Sequence, residues 1–579
     1  MKSDSFVRVA TSSDLVGDGP FALSAGGVDV ALVRTAAGWR AFQGRCPHQG
    51  ALLGEGEIEG DKLVCRNHRW RFSIESGERD GGPGCLASCP AVERANVIFV
   101  DPTGLELTSA ERSGKRSLDE LPGPKPRPIV GNVHQIDLSK AHLVLEGWAR
   151  QYGPTFKLYR GPTRLVATSD AAMVHEVLLA RPDTFRRSAR TDEALSEVGI
   201  KGVFNAEGAA WRSQRKLAVA ALAQRSLKQF YPHIETVAAR VKRRWARAAA
   251  TGEALDVVDE MKRFTVDVTM LIAFGHDANT VEATNDVIQR HLEVILPGIS
   301  RRVFATFPTW RVIKLPSDRQ LDRAFAAVSE WLRGLLVETR RRLEASPARA
   351  DHPANFLESM VVAVDEKGEP YSDATIMSNL ITMLLAGEDT TAFTLAWAVH
   401  ELCGSPQWAK ALRREADDVC GAVDVAGDIE ACNRLAVAGA VANETLRLRP
   451  AAPFANATAN VDTSLGDYFV PKGTTILLLF RPQAVDPKNF SDPLAFKPER
   501  WLEASSNAHN PSGQIPFGSG PRMCPGRSLA LLEMKTLLSM MYKSFDVERV
   551  GCAEDVTEMF GFTMSPAGLR VRLRSRAAH

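Results

Sequence analysis

Phe517-Gly518-Ser519-Gly520-Pro521-Arg522-Met523-Cys524-Pro525-Gly526 packs three glycines, two prolines and a single cysteine into ten residues. The stretch reads as a glycine-rich loop that delivers Cys524 to the start of a helix. Pro525 suits a first helical turn, and Leu529-Ala530-Leu531-Leu532 continues the helix. The unpaired amides at such a helix start favour a sulfur anion. The plainer alternative is a structural cysteine buried after a turn.

Working upstream, Glu444-Thr445-Leu446-Arg447 sets an acid and a base three apart on one helix face. Alone, that spacing is usually a solvated pair. Further upstream, Ser372-Asp373 offers an N-cap for a helix running toward His400, with Ala386-Gly387-Glu388-Asp389-Thr390-Thr391 in its middle. A threonine hydroxyl there can bond its own helix carbonyls or a water. Trp211-Arg212-Ser213-Gln214-Arg215 follows Gly208 and fits an amphipathic helix with one anchoring Trp.

The whole chain has 579 residues, 45% apolar and 24% charged, as in an ordinary globular protein. Its 71 basic and 69 acidic residues nearly cancel, which argues against a general nucleic-acid binder. Lys242-Arg243-Arg244 and Arg340-Arg341-Arg342 read as solvated helix faces, or else as a docking patch for an acidic redox partner. No apolar run reaches the ~18 residues of a membrane span, and Met1 to Val16 lacks a signal core. The nine cysteines show no short-loop disulfide spacing. The expectation is a cytoplasmic bacterial protein without a membrane anchor.

Residues 1–107 read as β-rich, with strands such as Val28 to Val33 and Val97 to Val100. Residues 108–120 read as a polar linker, and Leu121-Pro122-Gly123-Pro124 begins a second domain over 121–579. From there the pattern is helical, with helices expected over Ala141 to Gln151, Ile234 to Ala250 and Leu321 to Leu343. A strand is expected at Thr475 to Leu479.

The N-terminal region holds Cys46-Pro47-His48 and, sixteen residues on, Cys65-Arg66-Asn67-His68. Two loops, each with one thiolate and one imidazole, can hold a two-iron cluster, with thiolates on one iron and imidazoles on the other. A tetrahedral zinc site uses the same residue types, though zinc fingers pair like with like. The flanks Gln49-Gly50-Ala51-Leu52-Leu53, Arg69-Trp70-Arg71-Phe72 and Ser76-Gly77-Glu78 resemble the Rieske family. That resemblance implies a small antiparallel all-β domain with a [2Fe–2S] cluster held by Cys46, His48, Cys65 and His68. The disulfide cysteines of high-potential members are replaced by Ala51 and Asn67, which implies a ferredoxin-like donor. Arg69 stands where many relatives have Gly. Cys85 and Cys89 are expected as free thiols in a loop covering the cluster.

The 517–526 stretch and the segments upstream resemble the cytochrome P450 family. That resemblance implies a mainly α-helical (α+β) fold after the β domain, holding haem b (iron-protoporphyrin IX). Cys524 is then the axial ligand, in a loop with Phe517, Gly518 and Gly526. Arg522, Trp211 and Arg215 hold propionates. Ala386 and Gly387 leave room over the haem, and Asp389 and Thr390 deliver protons. Glu444 and Arg447, linked to Arg500 of the Pro-Glu-Arg segment, are structural. Glu388 is expected to be exposed or paired. The propionate-contacting Arg or His that many relatives carry after Arg449-Pro450 is missing from Ala451 to Val461.

Together the resemblances imply an O₂-dependent monooxygenase that hydroxylates or oxidatively dealkylates a hydrophobic small molecule, with a built-in Rieske donor. Pocket-lining segments in relatives correspond to Phe185 to Asn205, Leu296 to Trp310, Ala451 to Asn456 and Phe562 to Ala567. No dinucleotide or flavodoxin-like loop is evident, so a separate flavin-dependent NAD(P)H reductase is the expected electron source. The alternatives are a haem-thiolate isomerase or peroxygenase, a two-centre electron-transfer protein, or a ring-hydroxylating dioxygenase with its mononuclear iron in the second domain.

Overall fold

The structure, a computed structural model, describes residues 5–26, 28–46, 52–66, 69–81, 85–105, 115–283, 287–365, 367–502, 510 and 513–576. The chain forms two compact units. The first comprises residues 1–120 with 176–184 and 460–472, and the second comprises the rest. The sequence boundaries assigned those two later segments to the second domain. The expected linker is paired at its end: the Arg116 amide donates to the Asp467 carbonyl and the Phe469 amide to the Arg116 carbonyl.

Among the described residues, the first unit has four antiparallel sheets: a two-stranded one of Thr463–Leu465 and Tyr468–Val470, and three in its N-terminal part. One joins Phe21–Ala25, Val28–Thr35, Gly38–Gln43 and Ser88–Cys89 in that order. Strand Val28–Thr35 is apolar on both faces because both are covered. Ala31 and Val33 enter one core with Cys46, Cys65 and Phe72. Val30 and Leu32 enter another with Trp39, Cys89 and Ile98. A second sheet joins Glu57–Glu59, Lys62–Val64 and Arg71–Ser73, and so carries Cys65 at a strand end. The third orders Val7–Thr11, Val97–Val100 and Ala91–Arg94.

The second unit is mainly helical. Its five-stranded sheet runs Thr155–Arg160, Thr163–Thr168, Thr475–Leu479, Phe454–Ala459, Phe185–Arg187. Helix Asp373–Cys403, capped by the Ser372 side chain on the Thr375 amide, runs through the core. It packs against Val257–Phe274, which starts at an Asp256 cap and ends at Gly275 with φ +63°. The helix expected from Ile234 begins earlier, at Gln224, and runs to Thr251 with Pro232 inside it. Leu227, Phe230, Tyr231 and Ile234 make one continuous buried face across the proline. That burial offsets the ~3 kcal/mol cost of an interior proline. The other expected helices are observed as Ala141–Tyr152 and Pro316–Ala345. Among the described residues, no helix is long and apolar enough to cross a membrane.

The basic runs are ion-paired. Lys242 meets Asp424, Arg243 meets Glu282, Arg244 meets Glu260 and Arg340 meets Asp373.

Candidate functional site

Helix Asp373–Cys403 is buried over most of its length, yet Ala386 is exposed and Met383, Gly387 and Thr390 are only half-buried. These four positions follow an i, i+3, i+4, i+7 spacing, so they form one uncovered stripe. Ala386 and Thr390 give it a small residue and a hydroxyl. Thr390 Oγ1 donates to the Ala386 carbonyl at 2.9 Å, and its lone pairs can accept from a water. Gly387 was expected to clear space over the haem. A Cβ there would lie 2.6 Å from Thr269 Oγ1, so the glycine is required where the two central helices touch.

Glu388 and Asp389 turn away from the stripe and are 1% and 7% exposed. Both face Lys262 of the Val257–Phe274 helix. Its Nζ is 2.7 Å from Asp389 Oδ1 and 3.7 Å from Glu388 Oε1. Burial and the neighbouring Asp389 push the Glu388 carboxyl up to about 8. Burial pulls the Lys262 ammonium down, but Asp389 and Glu388 outweigh it and hold it above the usual lysine range. Glu388 was expected as exposed or paired; it is buried, with a long contact to a shared lysine.

In the Cys524 loop, Gly518 and Gly520 both take φ +70°, where only glycine is unstrained. The Cys524 amide donates to the Phe517 carbonyl at 2.8 Å. Helix Arg527–Ser544 follows, and the Gly526 and Arg527 amides point at the sulfur. The sulfur is solvent-accessible but sits in a concave setting. Burial therefore pushes the thiol up, while the two amides and Arg215 favour thiolate. Arg215 donates to the Met523 carbonyl at 2.6 Å. The Arg522 guanidinium lies 4.6 Å from the Trp211 ring centroid and pairs with Glu207 at 2.5 Å. An accessible sulfur under helix amides, with two guanidiniums and an indole beside it, fits an iron-bound thiolate and the carboxylates of a haem.

Glu444, Arg447 and Arg500 are 0%, 0% and 4% exposed. Arg447 makes a two-pronged contact with Glu444 at 2.7 and 2.8 Å. The Lys497 amide, Arg500 Nε and Trp501 Nε1 also donate to Glu444, at 2.9, 3.3 and 2.9 Å.

In the first unit, Cys46 lies just beyond strand Gly38–Gln43 and Cys65 follows strand Lys62–Val64, and both are buried in one core. His48 and His68 lie outside the described residues. The turn after Cys65 closes, with the Cys65 amide donating to the Trp70 carbonyl at 2.8 Å. Arg69 takes φ +56°, the conformation a glycine would adopt freely, and its side chain pairs with Glu57 and Glu59. Cys89 is a correction: it is not in a covering loop. It forms a strand with Ser88, its Cα partnered with Ala41, and burial pushes its thiol up to about 12.

Residues 121–573 match the family model described as cytochrome P450. The chain belongs to the cytochrome P450 family. Residues 5–91 match the Rieske [2Fe-2S] domain. The chain is thus a P450 monooxygenase preceded by a Rieske domain, and the two domains imply a haem and a [2Fe–2S] cluster. It is 29% identical over 443 residues to cytochrome P450 734A6 of Oryza sativa, covering 73% of this chain and 80% of that protein. It is 28% identical over 458 residues to human mitochondrial 25-hydroxyvitamin D-1 alpha hydroxylase, covering 75% and 88%. The self-sufficient P450 monooxygenase CYP505E4 of Penicillium expansum is 26% identical, but this match covers only 44% of that protein. The haem domain of cytochrome P450DA, a solved structure, superposes with a TM-score of 0.71 at 24% identity, covering 80% of this chain and 99% of that one.

Within this P450, the motifs did not point to Lys262, Glu207 or Arg187. Arg187 lies opposite Ala457 in the sheet, beside the stretch that lacks the usual cation. Its Nε donates to the Phe204 carbonyl at 2.6 Å, and its amide to the Glu207 carboxylate that also holds Arg522. The one sequence signal was basic: Arg186-Arg187 follows a short β-branched-poor strand start at Phe185.

Proposed function

We propose that the chain is an O₂-dependent monooxygenase that hydroxylates or oxidatively dealkylates a hydrophobic small molecule, using its own Rieske cluster as the immediate electron donor. The observation that carries this reading is the trio Thr390, Asp389 and Lys262. A hydroxyl on an uncovered stripe adjoins a buried carboxylate, and that carboxylate is tied to a half-buried cation.

Hydroxylation of R–H by O₂ takes up two electrons and two protons and yields R–OH and water. The haem supplies oxygen activation when bound, with Cys524 as its thiolate ligand. Trp211, Arg215 and Arg522 hold its carboxylates in this reading, and Arg187 replaces the cation missing from Ala451 to Val461. Thr390 accepts from a water above Ala386. Asp389 passes protons to that water, and Lys262 keeps Asp389 oriented and connected toward solvent. A peroxide-using or isomerase chemistry needs no such path.

Aromatic rings from the expected pocket segments support an apolar substrate. Phe304 and Phe454 are 6.2 Å apart, and Phe204 and Phe562 6.3 Å apart. In the first unit, Cys46, His48, Cys65 and His68 are proposed as the cluster ligands. Electrons enter from a flavin-dependent NAD(P)H reductase on another protein.

The test is reconstitution. Purified chain, reductase, NAD(P)H and O₂ should turn over a substrate found by its low- to high-spin Soret shift. Cys46→Ser should abolish that turnover while peroxide-driven product persists. Product with peroxide alone, and none with reductase and O₂, would overturn the reading.

A further inference from the structure

We propose that Glu388 is a second acid of the proton path, a buried reservoir that reloads Asp389 by exchanging Lys262 with it. This rests on the monooxygenase reading above and deepens it.

The geometry has three parts. Glu388 and Asp389 are consecutive and both buried, and they share one ammonium. Lys262 sits on Asp389 at 2.7 Å and stands 3.7 Å from Glu388, so it neutralises the first and only leans toward the second. Glu388 Oε2 and Asp389 Oδ1 are both buried with no hydrogen-bond partner among the described residues, but the Asp389 oxygen has the close Lys262 ion pair and Glu388 Oε2 has none. Two buried carboxylates with one cation leave a net negative charge, which a dry interior does not tolerate. One of the pair therefore carries a proton, and the contact lengths assign it to Glu388. The other charged group acting on the pair is Glu293, exposed on helix Val287–Phe304, and it also favours protonation. The upward shift of the Glu388 carboxyl agrees with the assignment.

The helix is held so that both acids face the lysine. Thr265 Oγ1 donates to the Glu388 carbonyl at 2.9 Å, and Gly387 lies against Thr269. The exchange is balanced. The Glu388 carboxyl gives its proton to the Asp389 carboxylate. As it does so, the Lys262 ammonium shifts from Asp389 to the newly formed Glu388 carboxylate. The trio's total charge is unchanged, so the step avoids the cost of creating charge in a low-dielectric site. Asp389 then donates toward the water on Thr390, and solvent reprotonates Glu388 past Lys262, whose side chain is 19% exposed. Glu388 touches neither substrate nor cofactor and acts through Asp389, so it is a positioning residue.

The experiment uses the full chain, alone and then with a reductase. Infrared difference spectra of the resting protein, titrated with base, read protonated buried carboxyls directly and need no turnover. A carboxyl band present at neutral pH should vanish on titration, be missing in Glu388→Gln, shift in Glu388→Asp and weaken in Asp389→Asn, where Glu388 no longer competes for Lys262. In turnover, Glu388→Gln should release about tenfold more peroxide per product, within the range of a proton-transfer contribution, and lose the alkaline limb of the rate profile. Glu388→Asp should restore part of the coupling. Absence of the band in the unmodified protein, or its persistence in Glu388→Gln, overturns the assignment even if a variant folds poorly. Wild-type coupling in Glu388→Gln alongside uncoupling in Asp389→Asn overturns this inference alone. Coupling unchanged in both variants overturns the monooxygenase proton path on which it rests.

Discussion

Two buried charge clusters lie in the same helical unit and are built in opposite ways. Around Glu444 every polar atom has an answer: five donors converge on one carboxylate, from Arg447, Lys497, Arg500 and Trp501. Arg447 spends its remaining donors on the carbonyls of Ala484, Pro493 and Ala495. Around Glu388 and Asp389 two acids compete for one lysine, and among the described residues Glu388 Oε2 has neither a hydrogen-bond partner nor an ion pair. A saturated network has one arrangement and resists change. An under-supplied one has two arrangements close in energy, which is what moving a proton requires. The first cluster locks a fold; the second can do chemistry.

The largest expected effect breaks the saturated cluster. Arg447→Ala strands Glu444 as a buried charge, at about 3–5 kcal/mol, a large share of a domain's stability. The purified chain should carry little haem and lose its cooperative thermal transition, both measured on the same sample. Retention of haem and of the transition would show that the remaining donors suffice.

Asp389→Asn sharpens the contrast, because it should damage chemistry and spare the fold. Product formation should drop about 10²-fold, with the melting temperature nearly unchanged. Oxygen uptake against product, together with a thermal scan, checks both halves. Loss of stability without loss of coupling would place Asp389 with the structural cluster.

Lys262→Met removes the cation that the described residues bring to the under-supplied cluster. Asp389 loses its ion pair at any pH, and at alkaline pH Glu388 adds a second uncompensated carboxylate, so stability should fall by about 1–3 kcal/mol more there. Denaturant unfolding at about pH 6 and about pH 9 reads the difference.

A smaller effect concerns pH alone. The Glu388 carboxyl, near 4.5 when unfolded, lies at about 8 when folded, so the native state binds more protons between those values. Stability from this group therefore falls as pH rises through that window. Glu558 has the reverse sign. Hydrogen bonding from His142, with Arg481 and Arg449 close by, overcomes burial and holds it at about 2. Its contribution is complete above the unfolded value and is lost as pH falls toward 2. Glu388→Gln should flatten the alkaline side of a melting-temperature profile, and Glu558→Gln the acid side.

The smallest effect lies at the surface, where water replaces either kind of cluster. Arg69→Gly relieves a left-handed backbone but gives up exposed pairs to Glu57 and Glu59. The two terms should cancel to within about 0.5 kcal/mol, as denaturant unfolding would show.

Much of this was legible in the sequence because it is written locally. The cysteine loop, the Cys-x-His and Cys-x-x-His pairs and the Glu-x-x-Arg spacing all lie within one loop or one helical turn. Short-range geometry then dictates what they can reach. The strand Val28–Thr35 and most long helices were readable for the same reason, since periodicity is a local property. The early start of the Gln224–Thr251 helix was not, because its apolar face overrode a proline. Cys89 was misplaced because its strand is only two residues long and exists through pairing with Gly38–Gln43.

By itself, the sequence determined the order of the two domains, the cysteines proposed for the cluster and for the haem, and the acid–alcohol spacing of the central helix. Each is a matter of which atoms are present and how far apart along one element. The tertiary structure alone decided which partners those atoms meet. Lys262 comes to Asp389 and Glu388 from another helix, Thr269 explains Gly387, and Arg187 reaches the stretch opposite Ala457 across a sheet. Burial, and with it the competition of two acids for one lysine, arises only when distant segments exclude water together.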